Sequence, residues 1–135
     1  MKDKNRPFKN PFIKNLHLGI SSIAVILVGL IYGIYPGKIL PILFDFRVET
    51  IDLKNVFRAI MGLYLGMGIF WIIGIYRSKQ WQSATLTNIV FMGGLAFGRI
   101  ISLMIDGTPS IQFTIGLVLE IFFFLWGINN LKNKA

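Results

Sequence analysis

The sequence holds no cysteine. That excludes disulfides, thiolate metal sites and dithiol redox chemistry. It holds a single histidine, which leaves no usual metal-ligand set. Charge is scarce too: 15% of the residues are Asp, Glu, Lys or Arg, where a soluble domain carries about a quarter. Acid is scarcer than base, with six acidic residues against fourteen Lys and Arg. No phosphate-binding glycine loop and no nucleophile–base pair is present. No half of the chain repeats the other, so a transporter built from inverted repeats is not supported.

What remains is apolar. Of 135 residues, 54% are hydrophobic, and the mean hydropathy is +0.64. A helix crosses the hydrocarbon core in roughly 20 apolar residues. Four windows qualify: Leu16–Tyr35, Asn55–Tyr76, Ser83–Ile105 and Ser110–Leu131. Lipid requires every backbone polar group to be satisfied internally, so helices are expected rather than isolated strands. The expected fold is all-α, an integral-membrane four-helix bundle over residues 15–132, preceded by a basic segment over residues 1–14. That basic start followed by an apolar run resembles a secretory signal. The run is too long and no A-x-A-like site follows, so it reads as a retained span.

The net charge of +8 would suggest nucleic acid on a soluble protein. Here the basic residues flank apolar runs, which fits orientation and contact with anionic lipid, with no nucleic-acid partner. Lys2, Lys4, Arg6, Lys9, Lys14, Arg77, Lys79, Lys132 and Lys134 fall on one side of the spans. Lys38, Arg47 and Lys54 fall on the other, balanced by Asp45, Glu49, Asp52 and Asp106. Nine against three predicts both termini in the cytoplasm, at a bacterial inner membrane. Trp71, Tyr76, Trp81 and Trp126 would then mark the inner interface, and Tyr32 and Tyr35 the outer one. His17 is expected at the inner interface as well. Between the first two spans, "KILPILFDF" suits either an interfacial segment or a loop folded over the mouth of the helices. Asp52 is the expected N-cap of the second span.

Three spans carry glycines four apart: Gly29 with Gly33, Gly62 with Gly66, Gly94 with Gly98. Small residues at that spacing let helix backbones approach closely, within one chain or between copies.

Three ionisable residues fall inside the spans: Arg58, Arg99 and Glu120. Such groups are costly at depth and usually face the interior with a partner. At about 1.5 Å per residue, Arg58 lies roughly 5 Å, Arg99 about 9 Å and Glu120 about 15 Å from the outer ends of their helices. An arginine reaches several ångströms, so Arg99 and Glu120 can meet. Asn55, Arg58, Gly62 and Gly66 form one stripe of the second span. Asn88, Met92, Leu95, Arg99, Ser102 and Asp106 form one on the third, and Gly116, Glu120 and Gly127 share a face of the fourth. The expected polar cluster is therefore Asn55, Arg58, Arg99, Ser102, Asp106 and Glu120. Two readings stand: an ion-pair network that fixes helix order, or an outward pocket in which the guanidinium fork holds a polar or anionic group. A proton relay through Glu120 is a third.

"NVFRAIMGLYLGMG" in the second span, "GRIISLMIDGTPS" at the end of the third and Glu120 in the fourth resemble an uncharacterised bacterial family. Its members are small four-span membrane proteins, a domain of unknown function. The resemblance covers nearly everything from the first span to the fourth. It marks Asn55, Arg58, Gly62, Arg99, Asp106, Gly107, Pro109 and Glu120, and implies no activity. A looser similarity is to DoxX-like four-span proteins, some of which accompany quinone-linked oxidoreductases; it is one of architecture. Three functions follow as expectations. One is a non-catalytic accessory or assembly subunit, with a membrane-protein partner or a homo-oligomer. Another is a binder or carrier of a lipid or quinone head group. The third is an intramembrane enzyme using Glu120, which no catalytic residue set accompanies. No cofactor is implied.

Overall fold

The structure, a computed structural model, describes residues 10–134; the basic residues 1–9 lie outside it. Helix α1 spans Pro11–Gly33. The Asn10 side chain caps it by accepting from Phe12 N–H at 2.9 Å. Pro11 at the first helical position costs no hydrogen bond there. Pro36 opens a short helix, α2 (Pro36–Leu43). Helix α3 spans Ile51–Tyr76. A 3-10 turn over Ser78–Gln80 leads into α4 (Trp81–Ile105). Gly107, at φ +95°, turns the chain after α4, a left-handed conformation that glycine adopts without penalty. Helix α5 spans Ile111–Lys134.

The four long helices are each long and apolar enough to cross a membrane. The fold is all-α among the described residues. Helix α1 packs along α3, α4 along α5, and α3 against α4. The start of α1 meets the end of α5, so the two are antiparallel.

Several boundaries differ from the sequence reading. Helices α1 and α3 begin earlier, at Pro11 and Ile51, because polar residues continue each helix past its apolar window. The N-cap of α3 is Thr50, whose hydroxyl accepts from Leu53 N–H at 3.1 Å. Asp52 sits instead in the first turn, where its charge favours the helix dipole. "KILPILFDF" forms α2 and a return strand of coil folded over the helix ends. Leu40 and Val48 are buried, and Phe44 stacks on Phe113 at 4.8 Å. Trp71 and Trp81 are buried among the helices. Trp71 donates from Nε1 to Thr87 Oγ1 at 3.2 Å.

Glycines set the closest approaches. A Cβ on Gly33 would collide with Met61 Cβ, and one on Gly29 would lie 2.8 Å from Tyr64 Cβ. These two let α1 and α3 touch backbone to backbone. Gly74 does the same for α3 against Ala84 of α4. Gly62, Gly66, Gly94 and Gly98 differ: nothing lies within 4 Å of a Cβ built on any of them. The expectation that they pack helices inside the chain is corrected. Their faces of α3 and α4 are turned outward.

Candidate functional site

The last turns of α4 and the first half of α5 run side by side near the end of the molecule that carries α2. Arg99 on α4 and Glu120 on α5 meet there. Arg99 Nε donates to Glu120 Oε1 at 2.9 Å and to Oε2 at 2.8 Å. The side chains are 23% and 10% exposed, so the pair is largely withdrawn from the surface. Both bonds come from Nε. The carboxylate therefore leaves the terminal guanidinium nitrogens to other partners. One of these, Nη2, lies 3.6 Å from where a Gly116 Cβ would stand. A bulkier residue on that turn would press on the guanidinium. The Arg99 guanidinium carbon also sits 5.4 Å from the centre of the Phe113 ring, a cation–π contact that offsets part of its desolvation.

The pair forms part of the wall of a half-enclosed cavity of about 220 Å³. Helix α1 contributes Val25, Val28 and Tyr32. Helix α4 contributes Met92 and Leu95. Phe44, Phe113 and Tyr64 bring aromatic rings to it, and Gln112 an amide. The lining is mostly apolar, and Arg99 with Glu120 gives it one strongly polar spot. A net-neutral ion pair in an apolar wall can hold a polar head while the rest of a ligand lies against hydrocarbon.

The other expected cluster members are elsewhere. Ser102 Oγ donates to Asp106 Oδ2 at 2.8 Å, and both residues are exposed. They continue the α4 stripe beyond the cavity. Asn55 and Arg58 are exposed on α3. Arg58 lines a separate pocket with Lys38, Lys54 and Glu49. The expected single cluster of six is thus corrected to a buried pair, a local exposed bond and a distinct basic pocket. The physical reason is the rotation of α3. Phe57, Met61, Tyr64, Gly68 and Trp71 turn inward, so the stripe through Asn55 and Arg58 turns out.

Tyr32, Tyr64, Gln112 and Phe113 were missed as lining residues. The signal for Tyr64 was present: Phe57, Met61, Tyr64, Gly68 and Trp71 repeat at the spacing of one helix face. His17 was also misplaced. It is fully buried, with Nε2 3.1 Å from the Phe123 carbonyl oxygen and its ring edge-on to Trp126 at 5.4 Å. Gly127 opposite leaves room for it, since a Cβ there would be 3.2 Å from the imidazole. Asn88, Ser21, Ser22 and Thr85 are buried too. Among the described residues, no group of three His, Cys, Asp or Glu side chains could hold a metal ion.

No curated protein and no solved structure matches the chain. The looser similarity to DoxX-like proteins is not shown by these comparisons. One family model does match, over residues 13–129, from the first turn of α1 to the last turns of α5. It spans both the Arg99–Glu120 pair and the basic pocket at Arg58. The chain belongs to that family, the domain of unknown function DUF4345.

Proposed function

We propose that this chain is a multi-pass membrane protein that holds a small amphiphile between α1, α4 and α5, with the polar end of the ligand against Arg99 and Glu120. The observation that carries this reading is the 220 Å³ cavity, apolar on most of its lining and polar at the ion pair. The terminal nitrogens of Arg99 suit a carbonyl or oxyanion acceptor. The aromatic rings of Phe44, Phe113 and Tyr64 suit a flat or unsaturated body. A lipid or quinone head group fits that description. Extraction and mass spectrometry of the purified protein test it. Wild type should carry a defined amphiphile near one per chain. Arg99→Ala and the cavity-filling Gly116→Leu should lose it. A wild type without any bound species refutes the reading.

A second reading is an accessory or assembly subunit of a membrane complex. It is supported by the open glycine faces of α3 and α4, which leave Gly62, Gly66, Gly94 and Gly98 free for a neighbouring helix. Purification in mild detergent should then recover a stoichiometric partner or a homo-oligomer. A protein that always runs alone counts against it.

The proposed setting is a bacterial inner membrane with both termini in the cytoplasm. The support is charge. Lys14, Arg77, Lys79 and Lys132 cluster at the helix ends away from α2, and cytoplasmic loops are the ones enriched in Lys and Arg.

A further inference from the structure

We propose a second binding site, separate from the Arg99–Glu120 cavity, that takes a phosphate group at the corner between α2 and α3. Lys38 on α2 and Lys54 and Arg58 on α3 line an open pocket of about 460 Å³ there, with Tyr35, Gly37, Val48 and Glu49. Lys54 and Arg58 are four residues apart, so they project from one face of α3. Like charges at that spacing repel unless an anion lies between them. The fold holds them there all the same. Gly37 makes the space: a Cβ on it would lie 3.3 Å from Lys54 Cε and 3.2 Å from the Val48 carbonyl oxygen. The Lys54 stem lies beside the first turn of α2, and Lys54 lines the pocket.

The three cations have little to neutralise them. Glu49 is the one carboxylate in the lining, and it accepts from Arg47 Nη1 at 3.4 Å. Among the described residues, no carboxylate forms a salt bridge with Lys38, Lys54 or Arg58. An arginine two turns into a spanning helix, without an acidic partner, extends towards the interface and its phosphates. There its planar fork matches two oxygens of one phosphate, while the lysines act as point charges. On the two helices that form this corner, Ile42 in the last turn of α2 and Ile51 in the first turn of α3 are 82% and 83% exposed. They give the same corner an apolar surface that suits the acyl region of a lipid. The shared chemistry is a phosphate oxyanion, from a phospholipid head group or from free phosphate.

Native mass spectrometry of the full chain in mild detergent tests this, with phosphatidylglycerol and with diacylglycerol of the same acyl chains as probes. Wild type should retain phosphatidylglycerol and release diacylglycerol. Lys54→Gln combined with Arg58→Gln should weaken phosphatidylglycerol about tenfold or more, the scale of losing one charge-assisted contact. Lys38→Gln, on an exposed side chain, should weaken it less. Ser102→Ala, on a side chain that lines neither pocket, should leave it unchanged. Helicity by circular dichroism and a single elution peak check that each variant is folded. Displacement of the lipid by millimolar inorganic phosphate assigns the site to free phosphate; persistence assigns it to the head group. Equal retention of diacylglycerol overturns the proposal. So does undiminished lipid binding in both the double variant and Lys38→Gln. The same loss on replacing Arg77 and Lys132 by Gln at the opposite end also overturns it.

Discussion

The Arg99–Glu120 pair makes a quantitative prediction about the packing of α4 on α5. Removing one partner of a buried ion pair costs about 3–5 kcal/mol, because the other charge stays buried without compensation. Both Glu120 oxygens are engaged by Arg99 Nε, so either truncation abolishes both bonds at once. The two truncations are not equivalent. Glu120→Ala leaves a guanidinium that remains charged under all ordinary conditions. Arg99→Ala leaves a carboxyl group, which is neutral once protonated. Glu120→Ala should therefore be the costlier change, near the top of that range. The Phe113 ring, 5.4 Å from the Arg99 guanidinium carbon, returns about 1 kcal/mol of it.

Replacing both residues with Met tests the same reasoning from the other side. An apolar pair of similar volume is neutral or stabilising by about 1–4 kcal/mol relative to a buried ion pair. Reversible unfolding of the delipidated protein in mixed micelles, followed by near-ultraviolet circular dichroism, gives all four corners of the cycle. The double variant should recover most of what each single variant loses, with a coupling of at least about 2 kcal/mol. Single variants that each cost less than about 1 kcal/mol, or a double variant that costs their sum, would refute the account of the pair as a buried, mutually compensating unit.

The same unfolding assay checks the glycines. Gly33→Ala should destabilise by about 1–3 kcal/mol, since the new Cβ collides with Met61 Cβ, which cannot move without α3. Gly66→Ala, on an open face, should be neutral or stabilising by up to about 1 kcal/mol; equal losses at the two positions would contradict the orientation of α3. Thr50→Ala should cost about 1 kcal/mol through the lost cap on Leu53 N–H, whereas Asp52→Asn should cost at most a few tenths. Trp71→Phe should cost about 1 kcal/mol for the hydrogen bond to Thr87, and Thr87→Val should cost a similar amount and add little to it in the double variant.

Some of this was legible from residues alone. Four long apolar runs give four long helices, because length and hydropathy are properties of the run and need no knowledge of neighbours. The meeting of Arg99 with Glu120 was legible from depth. Gly29 and Gly33 also lie where their spacing suggests, against α3. The rotation of α3 was legible only from side-chain size, not from polarity. In a soluble helix, polarity marks the outward face. In a spanning helix, the lipid-facing side is as apolar as the packed one, so glycine spacing and a lone arginine gave the wrong side. Side-chain size was the better guide, as the inward stripe from Phe57 to Trp71 shows. His17 was misread for a related reason. Position near a helix end predicts water, but α5 crosses beside it and supplies a carbonyl, a tryptophan edge and the space at Gly127.

The two spanning arginines show how far residue type falls short of role. Arg99 and Arg58 each stand in a run of apolar residues, on a helix that carries two glycines four apart. Arg99 faces a carboxylate from the next helix, and the pair is net neutral, so hydrocarbon around it is tolerable and the adjoining cavity is free to be apolar. Arg58 faces two lysines and a carboxylate already held by Arg47. On the proposed reading, an anion that joins that corner at the interface stabilises it. A ligand in the proposed cavity is selected by shape, since it must fit beside a satisfied pair. The proposed phosphate site selects by charge, since its lining carries three cations and one carboxylate. A salt titration separates them. Binding at the Arg58 corner should weaken steeply with ionic strength, because exposed charges are screened over about 10 Å at 0.1 M. Occupancy of the Arg99–Glu120 cavity should hardly change.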